Sequence, residues 1–95
     1  MTEKINNIIL PLVKSVLGYS TTIRDILLTE RVKSVISDLT DNKGIAIDYS
    51  NNEHIMLIVD LTCFQYENKG GGTLPRNLDF RVKNLIIKYR GADNV

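Results

Sequence analysis

The most apolar stretch of this 95-residue chain is residues 54–66, which read HIMLIVDLTCFQY. When the stretch is wound as an α-helix, apolar side chains occupy nearly its whole circumference. Such a helix is either central in a bundle or covered on its outer side by another subunit. Three other short helices could hardly cover all of it, so we expect the chain to self-associate.

Two amphipathic helices are expected before this stretch. In residues 5–17 the apolar spacing is interrupted by Pro11, so the first helix either kinks at that proline or starts near it. Gly18 is a natural end for this helix. Thr22 and Asp25 stand in a capping-box-like arrangement, which predicts the start of the second helix nearby.

The remaining cap and turn residues predict two more helices. Gly44 ends the second helix, and Asn51 or Asn52 caps the third. A glycine-rich loop follows the third helix, and Pro75 opens the fourth.

The last segment changes its apolar period near Leu85. Residues 85, 87 and 89 alternate as in a strand, so we expect the fourth helix to run out into an extended tail over residues 85–95. The predicted fold is therefore all-α, a small four-helix bundle with an extended carboxy-terminal tail. The whole chain, residues 1–95, forms one domain in this prediction.

The composition argues against several classes of protein. Twelve basic and eleven acidic residues give a net charge of +1, so no overall excess of charge points to nucleic acid. The single Cys63 cannot form an internal disulfide, which fits a reducing compartment. No apolar run is long enough to span a membrane, and the first residues lack the features of a signal peptide. We expect a soluble, intracellular protein with no membrane partner.

No constellation of catalytic, cofactor-binding or metal-binding residues is recognisable. Cys63 and His54 lie nine residues apart on one predicted helix, too far for their side chains to meet as a nucleophile and its base. A zinc site needs three or four ligands, and the chain offers one His and one Cys. We expect Cys63 in the core, His54 at the surface or packed on a loop, no cofactor, no metal and no enzymatic activity.

Asp60 is the one charged residue within the apolar stretch, between Val59 and Leu61. An unpaired charge at such a position is costly, so we expect an ion pair with Arg24 or Arg81 that holds two helices or two subunits in register. A catalytic acid of perturbed pKa is the functional alternative, but no partner group for it is found in the sequence.

The carboxy-terminal region is basic and contains two aromatic residues, which could let it contact a nucleic-acid backbone. Such charges more often keep an exposed helix soluble. A small helical DNA-binding regulator is nevertheless the alternative function, and it would require a recognition helix with base-reading Arg, Asn or Gln side chains. The basic residues are Arg76, Arg81, Lys83, Lys88 and Arg90, with Phe80 and Tyr89 between them.

The order of several short motifs resembles the small head–tail connector, or adaptor, proteins of long-tailed bacteriophages. The similarity extends from about Ile9 to Tyr89, and the earlier residues and Pro11 depart from the family's pattern. The motifs are VK at 13–14, LGY at 17–19, SDLTDNKGI at 37–45, His54 with LIVDL at 57–61, FQYENKG at 64–70 and LPRNLDFRVKNL at 74–85.

The resemblance implies a structural virion protein, a helical bundle that assembles as a ring under the portal of the DNA-filled capsid. A dodecameric ring is expected, with the DNA passing through its channel without sequence-specific binding. The expected partners are the portal protein, further copies of the chain and a downstream connector or tail component. The protein would complete the head, allow tail attachment, and lie at the head–tail joint of the virion after assembly in the host cytoplasm.

The family's carboxy-terminal tail docks into the portal. In this chain the corresponding portal-binding residues are Leu85, Ile86, Ile87, Lys88, Tyr89 and Arg90.

Overall fold

The computed structural model describes residues 5–68 and 73–93, without the side chains of Asn6 and of residues 88–93. Within these ranges the chain is all-α, with four α-helices and no strand, as predicted. A five-residue π-helical turn precedes the first α-helix, and another follows the second. In chain order the elements are the π-helical turn Ile5–Ile9, α1 (Leu10–Leu17), α2 (Asp25–Ser37), the π-helical turn Asp38–Asn42, α3 (Asn52–Glu67) and α4 (Arg76–Asp93).

Both ends of α1 follow from local sequence. Pro11 lies in the first turn of the α-helix, so the alternative of a helix starting near the proline is confirmed. Gly18 adopts a left-handed conformation at φ 80°, which glycine tolerates without a steric penalty. The N–H of Gly18 donates to the carbonyl of Ser15, and the N–H of Tyr19 to that of Lys14.

The capping box predicted for α2 is not formed. No side chain caps the helix, and the only role of Thr22 at this end is that its carbonyl accepts the N–H of Asp25 at 3.1 Å. The carboxylate of Asp25 lies 2.9 Å from the Nζ atom of Lys14, on α1. The capping prediction is wrong because the carboxylate pairs with another helix instead of the adjacent backbone.

Helix α3 is the central element and packs against α1, α2 and α4. The amino-terminal π-helical turn also packs on it, and Ile45 of the following connection is buried in the same core. Among the large apolar side chains of α3, only Met56 is exposed, at 37%. Our premise that one chain could not cover this helix is therefore wrong, because these two additional segments supply the missing cover.

Helix α4 packs against α3 and against no other element of the described residues. Its buried side chains Leu78, Val82 and Leu85 lie on one face at helical spacing. At residues 85–87 the backbone is helical, so the extended course predicted from Leu85 is wrong there. Leu85 is buried and Ile87 is 68% exposed, because residues two apart on a helix face nearly opposite sides.

The helix continues to Asp93 in its backbone, and the predicted tail residues 94 and 95 lie outside the described residues. None of the described helices is both long and apolar enough to cross a membrane.

Candidate functional site

The attachment of α4 to α3 includes one ion pair between the helices. The guanidinium of Arg81 donates to Oδ2 of Asp60 at 2.7 Å, and each side chain is about one-third exposed, at 34% and 35%. Asp60 thus has a cationic partner despite its apolar neighbours in sequence. Since the two residues lie 21 positions apart, the pair links α4 to α3.

Arg24, the other arginine considered for Asp60, contacts a tyrosine instead. Its guanidinium lies 4.5 Å from the centre of the Tyr19 ring, within the range of a cation–π interaction. The Tyr19 ring in turn meets that of Tyr66 edge to face, with centroids 6.0 Å apart. The three side chains connect the loop before α2 to the end of α3. Of the three residues Asp60, Arg24 and Arg81, the structure therefore brings only the first and the last together.

The side of α4 that faces away from α3 carries two exposed apolar residues. Phe80 is 63% exposed and Ile87 is 68% exposed. They lie seven residues apart, which places them on one face about 10 Å apart along the axis. Arg76 and Lys83 share this side by the same helical spacing, and we call these four residues the outer face of α4. The outer face of α4 thus combines two exposed apolar side chains with two cations.

The predicted portal-binding residues do not share one environment. Leu85 is buried against α3 and Ile86 is half-buried, so neither is free to insert into a partner. Ile87 is exposed. The structure does not describe the side chains of Lys88, Tyr89 and Arg90.

Phe80 was named with the basic residues that could contact nucleic acid, and not among the portal-binding residues. Its seven-residue spacing to Ile87 places the two residues on one face of a helix, but the sequence does not say which face is exposed.

His54 and Cys63, the residues considered for catalysis, are both in the core. His54 is fully buried, so the surface alternative for it is wrong, whereas its packing on a loop is found. Its Nδ1 accepts the backbone N–H of Asp48 at 3.0 Å, which ties the connection before α3 to the start of that helix.

Cys63 is buried on α3, as expected. Burial raises the pKa of its thiol to about 11, with smaller contributions from the charges of Asp60 and Glu67. A thiol with this pKa is almost entirely protonated at neutral pH and therefore a poor nucleophile.

In the part of the chain that the structure describes, no three His, Cys, Asp or Glu side chains are grouped so that they could hold a metal ion. The surface grooves are shallow. One of them, of about 440 Å³, lies between α1 and α2 and is lined by Leu10, Asp25, Ile26, Thr29 and Glu30. We call it the α1–α2 groove.

No protein-family model matches the chain, and neither a curated protein nor a solved structure is significantly similar to it.

Proposed function

We propose that the chain is a head–tail connector adaptor, a structural virion protein that binds the portal and prepares the head for tail attachment. The observation that carries the proposal is the arrangement of α4. This helix is held on α3 by a buried stripe, formed by Leu78, Val82 and Leu85, and by the Asp60–Arg81 ion pair. Phe80 and Ile87 remain exposed. The order of motifs over residues 9–89 and the all-α architecture also support it.

The structure changes how such docking would occur. The proposal from sequence relied on strand addition by alternating residues, whereas residues 85–87 are helical. We therefore propose that the end of α4 docks as a helix into a groove of the portal, with Ile87 as its apolar anchor and residues 88–90 completing the contact. Leu85 has a different role in this scheme, because it anchors α4 within its own chain.

In the assembled particle, copies of the chain would form a ring, a dodecamer where the portal is dodecameric, and the next connector or tail component would bind its opposite side. The genome would pass through the channel. The near-neutral net charge of +1 is compatible with DNA sliding past without being retained.

Portal binding is tested with purified protein and a chain that lacks residues 88–95. The truncation starts after Ile87 because removal of the buried Leu85 would also disturb the bundle. We expect the truncated chain to keep its helical circular dichroism and to lose at least about tenfold in portal affinity, which corresponds to about 1.4 kcal/mol. A control that lacks residues 1–4, which precede the motifs, should bind like the full chain. Equal portal binding by both truncated chains would overturn the docking assignment.

The biological role is tested by electron microscopy of lysates from a phage that lacks the gene. Separate tails and heads that leak their DNA would agree with the proposal. Joined, normal particles would reject it and return attention to the DNA-binding alternative. In that case the protein should bind duplex DNA with a steep dependence on salt concentration.

A further inference from the structure

A groove of about 470 Å³ lies between α2 and the end of α3. It is lined by Tyr19, Leu27, Arg31, Tyr66 and Glu67, and we call it the α2–α3 groove. The two tyrosine rings meet edge to face, so they hold each other in place. Leu27 is 51% exposed although it is a large aliphatic side chain. The groove therefore presents two fixed aromatic rings and one exposed aliphatic side chain to a ligand.

The cations at this groove have no anionic partner. Arg31 forms no ion pair among the described residues, and it follows Leu27 by four positions, which places both side chains on one face of α2. Arg24 is exposed and contacts the ring of Tyr19, a contact that leaves its positive charge without a counter-ion. One carboxylate, that of Glu67, lines the same groove. Two guanidinium groups thus stand against one carboxylate.

The α1–α2 groove differs in this respect. Its carboxylate residues Asp25 and Glu30 already pair with Lys14 and Lys33, at 2.9 Å and 3.5 Å. A charged ligand would have to displace one of these partners there, whereas it would displace none at Arg31. The α2–α3 groove is therefore the better candidate for binding a charged partner.

A carboxylate next to an aliphatic side chain matches the α2–α3 groove. A guanidinium binds a carboxylate through two parallel hydrogen bonds, and an aliphatic side chain on Leu27 would remove apolar surface from water. A nucleic-acid strand fits less well. One face of the Tyr19 ring is already occupied by Arg24 and is closed to base stacking, and a phosphate chain needs a longer track of cations than two.

We propose that the α2–α3 groove binds an acidic peptide segment of a partner protein, with a carboxylate on Arg31 and an aliphatic side chain on Leu27. Arg24 adds a second attraction beside the groove. The inference goes beyond the connector function and does not depend on it. The residues that line the groove come from α2, α3 and the loop before α2, whereas the contact proposed for the portal uses α4.

The test is an NMR titration of the isotope-labelled full chain with a short synthetic peptide of alternating glutamate and leucine. We expect the signals of residues 19, 27, 31 and 66 to shift, with a dissociation constant of about 1 mM or lower, as for a weak contact of one segment. One control peptide has lysine in place of glutamate, and another has serine in place of leucine. Each should bind at least about tenfold more weakly than the first peptide.

Variants of the chain separate a specific contact from a general attraction of charges. Arg31→Gln should weaken binding about threefold to fivefold, as the loss of a partly exposed ion pair does, and Leu27→Ser should weaken it about threefold or more. Glu67→Gln should strengthen binding about twofold, because it removes the carboxylate that repels the peptide. Lys33→Gln is the matched control, since it removes the same charge from the same helix at a residue that pairs with Glu30 outside the groove. It should bind like the wild type.

Four results would overturn the proposal. The first is no binding of the acidic peptide up to about 10 mM. The second is equal weakening by Arg31→Gln and Lys33→Gln, which would show attraction to the net charge alone. The third is a thymidine oligonucleotide that shifts the same signals at lower concentration than the peptide, which would make nucleic acid the occupant. The fourth is a shift of these signals with the concentration of the chain itself and no further shift with peptide, which would make a second copy the occupant.

Discussion

Helices α3 and α4 have similar lengths, 16 and 18 residues, but the rest of the chain covers far more of α3 than of α4. Helix α3 packs against three other helices, and its buried residues include both apolar side chains and the polar His54 and Thr62. Among the described side chains of α4, only the stripe formed by Leu78, Val82 and Leu85 is buried. The comparison shows that most apolar residues of α3 are used to fold the chain, whereas Phe80 and Ile87 of α4 remain exposed.

The largest expected effect is the loss of core packing in α3. Leu57→Ala removes a side chain that is 1% exposed and should lower the free energy of unfolding by about 2–5 kcal/mol, through lost transfer free energy and the cavity left behind. Urea denaturation followed by circular dichroism measures the change.

Met56→Ala is the control on the same helix, because Met56 is the one large apolar residue of α3 that is exposed. This substitution should lower the free energy of unfolding by about 1 kcal/mol or less, as a surface substitution does. Equal losses for the two variants would show that α3 is not covered in the way described.

The second expected effect concerns the reactivity of thiols on the two helices. With a pKa of about 11, Cys63 should have about 100-fold less thiolate at pH 8 than a thiol of the ordinary value 9.0, and burial slows its reaction further. A cysteine introduced at the exposed position 87, as Ile87→Cys in a Cys63→Ala background, should react at the rate of a free thiol. Labelling with a thiol reagent in native buffer and in urea provides the measurement. Fast native labelling of Cys63 would contradict the closed core around α3.

The same pKa shift has a consequence at alkaline pH. The thiol ionises more readily in the unfolded chain than in the folded one, so Cys63 favours unfolding as the pH rises from about 9 to about 11 and has no such effect at neutral pH. The Cys63→Ala variant should lack this part of the alkaline destabilisation.

A smaller loss of stability is expected when the buried stripe of α4, formed by Leu78, Val82 and Leu85, is weakened. Leu85→Ala should cost about 2 kcal/mol, at the lower end for a buried leucine, because α4 packs on one neighbour alone and can adjust. Ile87→Ala should change stability by about 0.5 kcal/mol or less, since its side chain is exposed. Hydrogen exchange should show the loss of protection in Leu85→Ala confined to α4. Protection lost equally throughout α3 would mean that the two helices unfold as one unit.

The features that the sequence predicted correctly depend on neighbouring residues. The left-handed Gly18 ends α1, and Asn51 caps α3, with its Oδ1 accepting the N–H of Glu53 at 2.9 Å. The apolar circumference of α3 left two alternatives open, a central helix or cover by a second subunit, and the structure shows the first. At the two helix ends the determining contact lies within a few residues along the chain.

The features that were mispredicted depend on contacts between distant segments. Asp25 was expected to cap α2 and instead pairs with Lys14 of α1. For His54 the sequence left surface exposure and packing on a loop open, and the structure shows it buried, with its Nδ1 accepting the N–H of Asp48 in the preceding connection. At Leu85 the alternation of apolar residues fits a strand and also a helix packed on one side, and only the neighbouring α3 decides between them.

The candidate site was only partly predictable for the same reason. The sequence named the carboxy-terminal region and the ion-pair candidates of Asp60, but it could not choose between Arg24 and Arg81. Helices α2 and α4 both pack on α3, so that choice depends on which arginine reaches Asp60 across the helix contact. Exposure of Phe80 likewise depends on which side of α4 is covered, and the spacing alone leaves two possible sides.

The smallest expected effect is that of the Asp60–Arg81 ion pair. Because both side chains are partly exposed, we expect the coupling energy from a double-mutant cycle of Asp60→Asn and Arg81→Gln to be about 0.2–1 kcal/mol. The coupling should shrink in high salt, where exposed charges are screened. The Lys83–Asp79 pair within α4 is a matched control, because its removal leaves the contact between the helices unchanged.

We expect the pair to affect the position of α4 more than the stability of the fold. Its two residues are on different helices, so its loss should raise hydrogen exchange in α4 and leave that in α3 unchanged. If the pair positions α4, Asp60→Asn should lower protection in α4 by more than its small change in the free energy of unfolding accounts for. Protection and stability that fall by the same small amount would show that the pair contributes only a surface charge contact, and that the buried residues Leu78, Val82 and Leu85 alone position α4.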